Sequence, residues 1–150
     1  MLDQLQTVFA SFRKNDVKYL VIGGIAAVLY GVPRATFDLD ILIEASAANT
    51  ERLLKAMVEA GLGTAGLTNV EEVLSQEITI FKDRIRLDVQ TSTPGIRFDE
   101  GWERRVTMNY KGQMMEVVSL TDLISSKRAA GRDVELQAVE ALESNTNPED

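Results

Sequence analysis

Gly23-Gly24-Ile25-Ala26-Ala27-Val28-Leu29-Tyr30-Gly31-Val32-Pro33-Arg34-Ala35-Thr36-Phe37-Asp38-Leu39-Asp40-Ile41-Leu42-Ile43 joins a glycine pair to an apolar run that carries two aspartates. On a strand, alternate side chains share a face, and residues two apart lie about 6.6 Å apart along the chain. The carboxylates of Asp38 and Asp40 can therefore converge on one divalent ion or bridge a pair. Ionised carboxylates inside a sheet are costly unless something compensates their charge, and a metal is the simplest compensation. The chemistry expected of the chain is metal-dependent phosphoryl or nucleotidyl transfer.

The glycine pair falls between an apolar strand expected over residues 18–22 and a helix-like run over 25–30, closed by Gly31 with Pro33 beyond. Its amides can face a space at that helix's N-terminus, where free N–H groups and the helix dipole favour phosphate. Glycine also lets a ligand approach the backbone closely. A tight turn or close helix–sheet packing is the plainer reading of the same pair. The second strand is expected over 37–44. If it begins before Thr36, then Arg34, Thr36, Asp38 and Asp40 share a polar face while Phe37, Leu39 and Ile41 face the core. A solvated strand face would alternate in the same way.

Further along, Arg84, Arg86, Asp88 and Gln90 alternate with Ile85, Leu87 and Val89. Asp88 thus lies on the polar face of another strand, either as a partner of Arg86 or Arg84 or as a third carboxylate of the site. Asp83 has the apolar parity and sits at a turn, which makes it the weaker candidate. Three acids on adjacent strands match a two-metal phosphoryl-transfer site, whose ions lie about 3.5–4 Å apart.

Helical spacing of Leu2, Leu5, Val8, Phe9 and Phe12 predicts a first helix ending near Asn15. A second amphipathic helix is expected over 47–60, with Leu53, Leu54, Met57 and Val58 inward and Gly61 as its stop. A loop over 63–66 and a helical turn over 70–74 precede two strands, 77–82 and 84–91, joined at Asp83. A short helix over 98–104 and a hairpin around Lys111-Gly112 lead to a helix capped by Ser119 or Thr121, and a last helix over 133–142 follows Gly131. The order predicts an α/β (α+β) domain. Its core is a mixed β-sheet, with helices packed mainly on one side and a short C-terminal helical segment. One domain over 1–143 and a flexible polar tail over 144–150 are expected.

Composition narrows the chemistry. The 150 residues, 45% of them hydrophobic, can bury a real core. A net charge of −7 argues against unaided gripping of nucleic acid, which needs a basic surface. With no cysteine there is no disulfide or thiolate ligand, and with no histidine the commonest general base is missing. The remaining oxygen ligands suit Mg²⁺ or Mn²⁺. No stretch is apolar and long enough to span a bilayer, and Met1-Leu2-Asp3-Gln4 does not read as the start of a signal peptide. A cytoplasmic protein without membrane partners is expected.

Gly23-Gly24, Asp38-x-Asp40 and Asp88 together resemble the polymerase-β-type nucleotidyltransferase superfamily, and residues 23–40 are especially similar to its small bacterial abortive-infection and toxin–antitoxin members. Ser119-Leu120-Thr121-Asp122-Leu123-Ile124-Ser125-Ser126-Lys127, followed by Gly131-Arg132-Asp133, resembles their helical segment. The resemblance implies that Gly23 and Gly24 hold the phosphates of an NTP substrate. It implies that Asp38 and Asp40 hold two Mg²⁺ (or Mn²⁺) ions, and that Asp88 shares the catalytic one and helps activate the incoming hydroxyl. Arg34, Thr36 and Lys127 are implied phosphate contacts. The implied reaction transfers a nucleoside monophosphate, releasing pyrophosphate, to a protein, tRNA or small-molecule hydroxyl. The other expectation is a non-catalytic nucleotide-binding or antitoxin-like module that contacts a partner protein. The sequence decides neither the acceptor, the preferred NTP nor the oligomeric state.

Overall fold

Leu5, Val8, Phe9 and Phe12 form one buried stripe along α1 (Leu2–Lys14) in the computed structural model, which describes residues 2–33, 35, 36 and 38–144. That stripe meets Tyr19 of β1 (Tyr19–Ile22), whose ring lies 4.9 Å from Phe12 and 5.9 Å from Phe9. After α2 (Gly23–Leu29), the chain returns as β2 (Asp38–Ile43) and crosses into α3 (Ala47–Glu59). Ser46 caps α3 by accepting from the Asn49 amide, and Ser11 Oγ donates to Ala56 O at 2.6 Å, fixing α1 beside α3. A 3₁₀ helix (Gly63–Leu67) and α4 (Val70–Leu74) then lead to β3 (Ile78–Lys82) and β4 (Arg86–Gln90). The chain closes with α5 (Phe98–Glu103), β5 (Val106–Tyr110), β6 (Gln113–Val117), α6 (Leu120–Ala130) and α7 (Asp133–Ser144).

The six strands form one mixed sheet in the order β3-β4-β2-β1-β6-β5. The β2–β4 and β1–β6 pairs are parallel, and the others are antiparallel. This is the α/β architecture expected, with helices packed on a mixed sheet.

Register divides the sheet's two faces. Val117, Val21, Ile41 and Val89 stand side by side across β6, β1, β2 and β4, and all are buried in the core that α1 and α3 cover. One residue along, Ile22, Asp40, Asp88 and Ile80 form the neighbouring row across β1, β2, β4 and β3. Because strand side chains alternate, this row points to the opposite face. The acids therefore sit on the central strands, on the face away from α1 and α3.

Local differences have local causes. Val58 is 50% exposed, since the buried stripe of α3 runs through Leu53, Ala56 and Met57, and Val58 is one helical step off it. β2 begins at Asp38, so Thr36 precedes the strand and the polar face does not extend to it. Residues 63–67 wind into a 3₁₀ turn where a loop is expected. At the hairpin, Lys111 and Gly112 both take positive φ, 50° and 83°, the pairing that suits the twist of a two-residue turn. Helix α7 runs to Ser144, and residues 145–150 of the expected tail lie outside the described residues.

Candidate functional site

β2 supplies Asp38 and Asp40, and β4 supplies Asp88 directly opposite Asp40 in the parallel pairing. One carboxylate oxygen from each of the three lies within 4.8 Å of those of the other two. Leu39, Leu87 and Val89, the intervening residues, are fully buried and anchor both strands, so the acids are held by the core beneath them. Asp88 is 8% exposed, and Asp38 and Asp40 are partly open.

Electrostatics follow from this crowding. Burial, then the charge of Asp88 and a hydrogen bond with it, then the charge of Asp38, push the Asp40 carboxyl from 3.8 up to about 7; Arg86 pulls it the other way. Arg86 forks onto Asp88, with Nε 3.0 Å from Oδ1 and a terminal nitrogen 3.2 Å from Oδ2. That hydrogen bond raises the guanidinium above its ordinary value. The Arg86–Asp88 pair expected as the alternative to a metal role for Asp88 is thus formed, in the same cluster as the other two carboxylates. Asp83, by contrast, stands apart: it accepts from the Thr64 amide and hydroxyl at 2.9 and 2.7 Å, which holds it below the usual carboxylate range.

Gly23 has a specific steric reason. Its φ is +68°, and a Cβ there would lie 2.3 Å from Asp40 Oδ2. Any side chain would occupy the place of the carboxylate, so the close-packing reading of the glycine applies at this position.

Asp38 and Asp40 open into a cleft of about 550 Å³, within the range of small-molecule sites. Gly23, Gly24 and Thr36 line it beside Asp38 and Asp40, and Thr36 Oγ1 donates to Asp38 O at 3.4 Å. The far wall is α6 and α7. Lys127, 3% exposed, lines the cleft with Nζ 2.8 Å from Glu135 Oε2, while Arg132 donates to Glu135 Oε1 at 2.9 Å. Arg34 lies outside the described residues.

Sequence reasoning missed Arg132 and Glu135. Their signal was Gly131: at φ +69° it ends α6 in a left-handed turn and folds α7 back onto it, which brings Glu135 to Lys127. Gln90 and Thr93 also line the cleft without having been singled out for it. Gln90 continues the parity of Asp88 and could have been found that way.

Three clustered carboxylates with no sulfur or imidazole donor form a hard oxygen set that fits Mg²⁺ or Mn²⁺. Among the described residues, no helix is long and apolar enough to cross a membrane. No family model matches the chain, and no curated protein is found similar to it.

Proposed function

We propose that the protein is a divalent-metal-dependent nucleotidyltransferase, which moves a nucleoside monophosphate from an NTP to an acceptor hydroxyl and releases pyrophosphate. The observation that carries this reading is the convergence of the Asp38, Asp40 and Asp88 carboxylates, the first two of which line a nucleotide-sized cleft. Bound Mg²⁺ or Mn²⁺ would neutralise the phosphates and lower the acceptor hydroxyl's pKa. Asp38 and Asp40 would hold the metal, and their strand fixes the spacing of the two carboxylates. Asp88, rooted in β4, receives the proton as the acceptor oxygen attacks the α-phosphorus and the bond to pyrophosphate breaks. Gly23 and Gly24, with Thr36, offer the phosphates an approach poor in side chains, and the Lys127–Glu135–Arg132 group carries a net positive charge on the opposite wall. Positioning and charge neutralisation supply the catalysis, so the lack of histidine is no obstacle.

The resemblance of residues 23–40 and 119–133 to small bacterial nucleotidyltransferases supports a cytoplasmic role in a toxin–antitoxin or abortive-infection system. The Arg86 fork on Asp88 favours a second reading, a non-catalytic nucleotide-binding or antitoxin-like module acting on a partner protein.

Incubation of the protein with α-³²P-labelled NTPs, Mg²⁺ and cell lysate separates the two. Label transferred to protein, tRNA or a small molecule by the wild type but not by the Asp38→Asn/Asp40→Asn double variant supports the enzyme and names its acceptor class. Nucleotide binding that is equal in both proteins, with no label transferred, refutes it.

A further inference from the structure

Arg86 is placed unusually for a surface arginine. It stands directly opposite Asp38 in the β2–β4 register, two residues before Asp88 on the same strand face. Its guanidinium clasps both oxygens of Asp88, although the arginine side chain is 45% exposed and the aspartate side chain 11%. A bidentate arginine presents two parallel donors to a carboxylate, takes one lone pair on each oxygen, and sets a fixed positive charge where a cation would approach. Arg86 and a cation therefore compete for Asp88 through charge repulsion and through the two lone pairs that the fork holds.

We propose that Arg86 is a resident counter-ion of the acidic cluster, which holds Asp88 masked until a divalent cation displaces the guanidinium from it. This rests on the metal-site reading above and deepens it. The clasp gives the cluster a positive partner in the absence of metal, so three carboxylates can stand close together. It also makes cation entry a competition: an incoming ion meets a fixed positive charge at the Asp88 carboxylate. Asp88 is released for the acceptor's proton in the same event. Arg86 is thus a positioning residue, acting through Asp88. Its half-exposed stem leaves the guanidinium room to swing into solvent when the clasp opens.

The test is calorimetric titration of Mn²⁺ into metal-free wild type, Arg86→Gln and Arg86→Lys, with urea unfolding of each protein in chelator. Removing the competing charge should tighten Mn²⁺ binding by Arg86→Gln up to about fivefold, since an exposed pair contributes up to about 1 kcal/mol and 1.4 kcal/mol is tenfold. The same variant should unfold at lower urea in chelator and recover with saturating Mn²⁺. Arg86→Lys keeps the charge without the fork and should fall between the two; it carries the test if Arg86→Gln does not fold. Wild type that binds Mn²⁺ while the variants bind it equally or more weakly overturns the counter-ion role and leaves the metal site standing. Wild type that binds no Mn²⁺ at all overturns both.

Discussion

Asp40→Asn should make the metal-free protein more stable above neutral pH while abolishing its metal binding. Asp40 lies between Ile22 and Asp88 in its row, under Gly23, and its carboxyl is raised from 3.8 to about 7, first by burial and then by Asp88 and Asp38. Three pH units at about 1.4 kcal/mol each place up to about 4 kcal/mol against the ionised form in the folded state. The folded protein holds a proton that the unfolded chain releases more readily. Stability is therefore fully present below about pH 4 and is lost as pH rises through about 7. Asparagine preserves the shape of the side chain and cannot ionise, so its unfolding free energy lacks this slope.

Urea unfolding in chelator, at about pH 5 and about pH 8.5, tests the sign. The wild type should lose a few kcal/mol between these conditions, a large part of the 5–15 kcal/mol typical of a domain. The variant should change little and be the more stable protein at the higher pH. Excess Mn²⁺ should restore the wild type alone, by about 2.7 kcal/mol at a hundredfold excess over its Kd. A wild type as stable at high pH as at low, or a variant weaker than wild type at both, would refute the electrostatic argument.

Gly23→Ala places a methyl group against Asp40 Oδ2 and forces a positive φ on alanine, so it should cost at least about 1–3 kcal/mol and weaken Mn²⁺ binding together. Gly63→Ala, with nothing within 4 Å, is the control and should be nearly neutral; equal effects at the two positions would remove the steric role of Gly23. Lys127→Met breaks a pair whose side chains are 4% and 12% exposed and should cost about 3 kcal/mol in urea unfolding, the lower part of the range for buried pairs because Arg132 still holds Glu135. Adding Glu135→Leu should recover most of that loss; a double variant weaker than the single one contradicts the pairing.

Features set by near neighbours were legible in the sequence. The stripe of Leu5, Val8, Phe9 and Phe12 and the two-residue hairpin turn depend only on residues within a few positions and formed where expected, and of the two caps the sequence offered, Ser119 and Thr121, the structure uses Ser119. The parity of Asp88 was legible for the same reason. Its pairing with Arg86, open in the sequence between arginine and metal, needed coordinates, because parity gives the face and not the distance. Val58 misled because apolar character alone does not fix where a helix centres its buried stripe.

By itself the chain determined which acids share a strand face, since a period of two is written into every β-segment. Only the tertiary structure decided that β2 and β4 are parallel neighbours with Asp40 opposite Asp88, and that α7 returns Glu135 to Lys127. Strand order and register are settled by burying distant segments against one another. Here a slip of one residue between β2 and β4 would turn Asp88 into the core and Leu87 or Val89 out of it.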